Sequence, residues 1–372
     1  WGTGQAQTHA IVRKLQLFMP GLKVWLDVDE LKDTSSLEES VSHSAVFVIY
    51  YSRGYFKSRN CQRELYAAII LDKPMIVIYK GNSKVVIEEM IEECTKYCNS
   101  ANSPGSSLIL GKIFGNCHYD AEMLATADQG PIAWLDGNGF AAASLDLIYY
   151  RVLSHLPYYK SRPNELSSKG IMVPGELGPV SLQSPINILV CDSNDGCFEV
   201  AEELKAMFSE RNSMFIYDAA EFLEYQIDHA ENVDVMDRLI SLSSFSDRPT
   251  FFLLYLNKLT FGDTSTNKDN NVIEVLIESC IDDPNIHLVL VHEQNALKGG
   301  CEFDDIFKAT PQKLIDEPYS LYSEIAIPLY QMKEYRDVSL NLILNKMVAT
   351  DKNVLQSSFM ESLKRTIHKM TR

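Results

Sequence analysis

Short apolar runs alternate along this chain with segments whose apolar positions return every three or four residues. Residues 5–19 set Ile11, Val12, Leu15 and Phe18 on one helical face, and Pro20-Gly21 ends that helix. LKVWLDV (22–28) reads as a strand and residues 29–36 as an acidic loop. Ser36 caps a short helix, LEESVSHS, with Glu39 as the other half of a capping box. AVFVIYYS (45–52) has the β-branched, apolar character of a strand buried on both faces. The loop RGYFKSRN leads to a helix at 61–72, and KPMIVIYK (73–80) is the next buried strand. An amphipathic helix follows at 83–98, whereas the Gly-, Ser- and Asn-rich stretch 99–130 has no period that assigns it. A strand at 131–137 and a helix at 140–156 close this half.

Residues 157–184 carry Pro, Gly and Ser without periodicity and read as a linker. The alternation then restarts, with strands at 186–193, 214–218, 250–257, 286–293 and 323–330 and helices at 196–209, 271–282 and 335–348. A terminal amphipathic helix is expected at 352–370, with Leu355, Phe359, Leu363, Ile367 and Met370 on one side. Phrases repeat between the halves. AVFVIYYSRGYF (45–56) matches TFFLLYLNKLTF (250–261), ELYAAI (64–69) matches EVLIES (274–279), and ASLDLIYYRVL (143–153) matches VSLNLILNKMV (338–348). The same order with the same junctions indicates duplication of one α/β unit with a parallel sheet and helices on both faces. The expected domains are 1–157 and 185–349, joined by the linker 158–184 and followed by the helical segment 350–372.

Charge narrows the partners. A net charge of -16 opposes nonspecific nucleic-acid binding and adhesion to anionic membranes. No apolar run approaches the ~20 residues that span a bilayer. Eight cysteines at irregular spacings, most of them inside apolar runs, read as reduced thiols of a cytoplasmic protein.

Residues 4–80 resemble a TIR (Toll/interleukin receptor) domain. GLKVWLDVDELKDTSSLEESV is similar to the second strand, BB loop and short helix of that family, and VFVIYYSRGYFKSRNCQREL to the next strand, loop and helix. Ser58, Cys61 and Glu64 fit the S-x-x-C-x-x-E pattern of TIR domains that cleave NAD. The resemblance covers most of 1–157, weakens over 99–130, and over 186–349 rests on element order and the repeat. It implies two tandem flavodoxin-like, three-layer domains. The chain opens at Trp1 inside what reads as a loop, so the first copy is expected to lack its first strand, as a segment of a longer protein would. The second copy is degenerate: Asn271 stands where Cys61 would be, although Glu274 aligns with Glu64.

The resemblance implies NAD as substrate, no resident cofactor, and Glu64 as the catalytic carboxylate. Cleavage of the nicotinamide–ribose bond passes through an oxocarbenium-like state, which one carboxylate can stabilise. Glu64 is expected in the first turn of a helix that follows a parallel strand, at the carboxyl end of the sheet where open α/β folds bind ligands. There a carboxylate also suits the helix dipole, whatever its chemistry. Ser58 and Cys61 would orient the nicotinamide end of the pocket; without ligand, they read as a helix cap and a small buried residue. Arg53, Lys57, Arg59 and Arg63 form a basic segment that could serve an anionic nucleotide or simply be a solvated helix start. Asp27, Asp29 and Leu31, at the mouth of the BB loop, would touch ligand or a neighbouring TIR domain. Self-association of TIR domains is the noncatalytic alternative, and tandem copies suit it.

Other clusters carry less. Cys94, Cys98, Cys117 and His118 match no usual zinc spacing, so no metal is expected. Asp192 and Asp195 resemble the acidic pocket of response-regulator receivers, but YLNKL offers Asn257 where a receiver needs Asp.

Overall fold

The computed structural model describes residues 4–19, 21–25, 37–81, 84–100, 103–115, 130–169, 177, 180–182, 184–207, 213–221, 248–262 and 269–349. The chain is α/β with parallel sheets and divides into two compact units, Trp1–Leu177 and Gly178–Arg372. No helix among the described residues is long and apolar enough to cross a membrane.

Unit 1 runs α1 (Gly4–Phe18), α2 (Leu37–His43), β1 (Phe47–Tyr51), α3 (Arg59–Ile70), β2 (Met75–Lys80), α4 (Lys84–Tyr97), α5 (Ser106–Phe114), β3 (Ile132–Trp134), α6 (Asn138–His155), α7 (Pro157–Lys160) and α8 (Pro163–Lys169). Its sheet is parallel with the order β1-β2-β3. Ile11 and Leu15 of α1 and Leu145, Ile148 and Val152 of α6 bury one face against Ile76, Ile78, Ile132 and Trp134. Val41 of α2 and Ala67 and Ala68 of α3 pack on the other, beside Phe47.

Three expectations for unit 1 are revised, and one unassigned stretch is filled. Residues 22–25 form no strand, and 26–28 lie outside the described residues. A strand needs a ladder partner, and among the described residues β1 pairs with β2 alone. Among the described residues β1 thus stands at the edge of the sheet, and it is not buried on both faces, since Val48 is 42% exposed. Within 99–130, α5 is a helix after all, burying Ile109, Leu110 and Ile113. Residues 157–169, expected as linker, hold α7 and α8, the first opened by Pro157 at its N-terminus. Proline at the first helical position lacks only an N–H that would be unpaired anyway, so it opens helices as well as loops. Ser36 lies outside the described residues.

Unit 2 runs β4 (Ile186–Val190), α9 (Cys197–Ala206), β5 (Met214–Asp218), β6 (Thr250–Leu256), α10 (Asp269–Asp282), β7 (Ile286–Glu293), α11 (Phe303–Ala309), α12 (Gln312–Ile315) and β8 (Ile327–Leu329), then a helix α13 at 333–349. All neighbours in the order β5-β4-β6-β7-β8 are parallel. Counted from β4 this is 2-1-3-4-5, an order compatible with a flavodoxin-like layout. Every residue of β6 is buried, which is why it reads as a continuous apolar run. Alternate residues point to opposite faces. Phe251, Leu253 and Tyr255 meet α9 and α13, while Phe252, Leu254 and Leu256 meet α10, α11 and α12. The last strand is only three residues long, preceded by a short 3-10 turn rather than running through 323–330. The helix expected at 352–370 lies outside the described residues.

Candidate functional site

β1 delivers the chain to the carboxyl edge of the unit 1 sheet, and a tight loop returns it as α3. Gly54 takes φ +95 there, a conformation that side-chain-bearing residues rarely adopt. Phe56, 1% exposed, anchors the loop against Tyr51 and Tyr55. The Gln62 amide donates to the Phe56 carbonyl at 2.6 Å and to the Tyr97 carbonyl at 3.3 Å, tying loop, α3 and α4 together.

Ser58 caps α3: its backbone is extended and its hydroxyl accepts from the Cys61 N–H at 3.5 Å. Its bland role is thus real, whatever else it does. Cys61 and Glu64 are half-buried and follow it along the helix, three residues apart. That spacing separates them by about 4.5 Å of rise and about 60° of rotation, so the three form one slanted row. Glu64 flanks the buried face made by Leu65 and Ala68. The helix starts at Arg59, two residues earlier than expected, so Glu64 is in its second turn and not its first. The first turn contains no acid, and a favourable dipole no longer accounts for this carboxylate.

Half of the basic segment is paired. Arg53 pairs with Glu89 at 2.5 Å, and Arg63 forks onto Glu38 of α2 with two bonds of 2.7 Å. The Arg63 hydrogen bond holds the Glu38 carboxyl below its ordinary range. Lys57 and Arg59 are exposed at the helix start. Asp27, Asp29 and Leu31 lie outside the described residues.

Sequence reasoning missed three groups at the same sheet edge. Lys80, at the end of β2, lies 3.8 Å from Asp136, which follows β3 and accepts from the Trp134 indole at 3.0 Å. Tyr50 of β1 has a buried hydroxyl with no hydrogen-bond partner, and burial together with the Asp136 charge pushes its pKa up to about 12. Their common signal was position: each lies near or just past the carboxyl end of a strand. Gly4 closes over this edge, and a Cβ there would stand 2.8 Å from the Ser52 hydroxyl.

In unit 2 the aligned carboxylate has a different fate. Glu274 binds Lys313 of α12 at 3.0 Å, and the same ammonium takes Glu278 at 2.6 Å. Asp192 and Asp195 are exposed, and the Asn257 amide donates to the Asp195 carbonyl at 3.3 Å, closing a turn. The Asn that stands for an acid in YLNKL has a structural role, since Asn257 also accepts from the Leu259 N–H at 2.8 Å. Asn194, unmarked in the sequence, clamps both backbone groups of Tyr255 at 2.8 Å. Cys94 and Cys98 are buried at the end of α4, where a hydrogen bond from Cys94 lowers the Cys98 thiol from its ordinary value. Cys117 and His118 lie outside the described residues. No protein-family model, curated protein or solved structure matches this chain.

Proposed function

We propose that unit 1 is a cytoplasmic TIR-type signalling or defence module that hydrolyses NAD to nicotinamide and ADP-ribose. The observation that carries this is the row Ser58, Cys61 and Glu64 on α3, which begins at the cap directly after a parallel strand. Its half-buried carboxylate stands on the flank of the core. The leaving nicotinamide is already a cation in NAD, so departure needs no acid. Positive charge grows at the ribose carbon as the bond breaks, and Glu64 stabilises it. Water then adds to that carbon and loses a proton, giving ADP-ribose. Lys57 and Arg59, at the helix start, suit the pyrophosphate. Unit 2 is a degenerate flavodoxin-like copy of the same fold. Its order β6-β7-β8 repeats the order β1-β2-β3, and Glu274 is committed to Lys313.

A second function, a noncatalytic scaffold acting by self-association and partner recruitment, is favoured by the pairing of Arg53 and Arg63. Two of the four cations that would greet a nucleotide are already matched by Glu89 and Glu38. The discriminating experiment incubates the full chain with NAD at high protein concentration and follows nicotinamide release. Catalysis predicts release that Glu64→Ala and Glu64→Gln each reduce at least about a hundredfold, with the unfolding midpoint unchanged. Release that persists in both variants, or none from the folded wild-type chain, leaves the scaffold.

A further inference from the structure

The far end of α3, away from Ser58, carries exposed apolar side chains. Ile70 is 78% exposed and Leu71 46%. Leu108 of α5, 50% exposed, lies one helical turn from Lys112, which ion-pairs with Asp72. Lysines act on Asp72, the residue that follows Leu71. Lys112 holds Asp72 directly, and the Lys160 charge also acts on Asp72. Lys73 is fixed by the Ser42 and Ser44 carbonyls at 2.6 and 2.8 Å. Asp72 is thus set among Lys73, Lys112 and Lys160, in a chain whose net charge is -16.

Asp72 also sits in strained backbone, at φ +49. It ends α3 where glycine is usual, in a turn closed by the Lys73 N–H on the Ala68 carbonyl at 2.9 Å. Aspartate adopts this conformation more readily than most side chains do. Here it places one carboxylate among lysines, where it can yield to a competitor.

We propose that this surface docks an acidic amphipathic helix of a partner protein. Leucine-type residues on the helix cover Ile70, Leu71 and Leu108, and its carboxylates displace Asp72 from Lys112 and engage Lys160. The choice of occupant rests on charge. A second copy pairing through the same patch would set lysines against lysines, and an anionic membrane would repel the acidic remainder of the chain. The surface is at the opposite end of α3 from Ser58 and does not depend on NAD chemistry.

The test titrates the full chain into a fluorescein-labelled synthetic helix with leucines at i, i+4 and i+7 and glutamates elsewhere, read by anisotropy. Saturable binding is expected. Ile70→Glu should weaken it about tenfold or more, as should the pair Lys112→Glu with Lys160→Glu. Asp72→Gly removes the competing carboxylate and the strain together, and should bind more tightly. All of these positions are solvent-facing, and unchanged unfolding midpoints confirm the fold. Three results overturn the proposal: no saturation by ~1 mM peptide, equal binding of a scrambled peptide of the same composition, or equal binding by the Ile70→Glu chain. Association of the chain with itself that Ile70→Glu abolishes, or binding to phosphatidylserine vesicles in place of the peptide, overturns it in favour of those occupants.

Discussion

Arg336→Ala is expected to destabilise unit 2 by about 2–4 kcal/mol, below the ~3–5 kcal/mol of a fully buried broken pair because Glu203 is partly solvated. Arg336, on α13, forks onto Glu203 of α9 at 2.5 and 2.8 Å and donates to the Tyr330 carbonyl at 3.2 Å. Burial works against its charge, and the Glu203 hydrogen bond, with the charges of Glu203 and Glu293, outweighs it. Glu293 is the group at stake. It is 0% exposed, at the end of β7, and accepts from the Tyr255 hydroxyl at 2.5 Å and the Asn295 N–H at 2.6 Å. Without the guanidinium that buried carboxylate loses a nearby positive charge. Arg336→Lys keeps the charge but not the fork, so a loss of about 1–2 kcal/mol is expected. Denaturant unfolding of the full chain, followed through the unit 2 transition, measures both. An Arg336→Ala midpoint equal to wild type would mean that Tyr255 and Asn295 suffice for Glu293.

That network explains why some of the molecule was legible and some was not. TFFLLYL and MIVIYK announce buried strands because each face of a parallel sheet meets helices, and both strands were placed to within two residues. The cap at Ser58 was legible too, since a serine followed by a helical period has a local cause. Glu64 was misplaced by one turn because helix boundaries drift by a residue or two. Pairings between distant residues have no local signal. Arg63 finds Glu38 across 25 residues and Arg336 finds Glu203 across 133, so the cations of α3 looked available in the sequence. Asn194 looked like a polar loop residue, yet it is 2% exposed and holds β6. Pro157 and Pro163 looked like linker punctuation because proline opens helices and loops alike.

Gly196→Ala tests the same region from its other side and should cost about 2–5 kcal/mol, the sum of a left-handed backbone penalty and overpacking. Gly196 caps α9 at φ +94, ψ -11. A Cβ there would stand 2.6 Å from Cε1 of Tyr255, closer than real Cβ contacts come. The ring has little room to retreat. Its hydroxyl is held by Glu293, and its backbone N–H and carbonyl are both held by Asn194. Gly299→Ala supplies the control. That residue also has positive φ, +81, but its nearest foreign atoms would lie at 3.6 Å, so only the backbone penalty of about 1–2 kcal/mol applies. The difference between the two variants isolates the steric part. Combining Gly196→Ala with Tyr255→Leu, which removes the ring, should recover some of that part relative to Tyr255→Leu alone. Equal costs for Gly196→Ala and Gly299→Ala would show that Tyr255 can move, and that Asn194 and Glu293 do not fix it as their hydrogen bonds indicate.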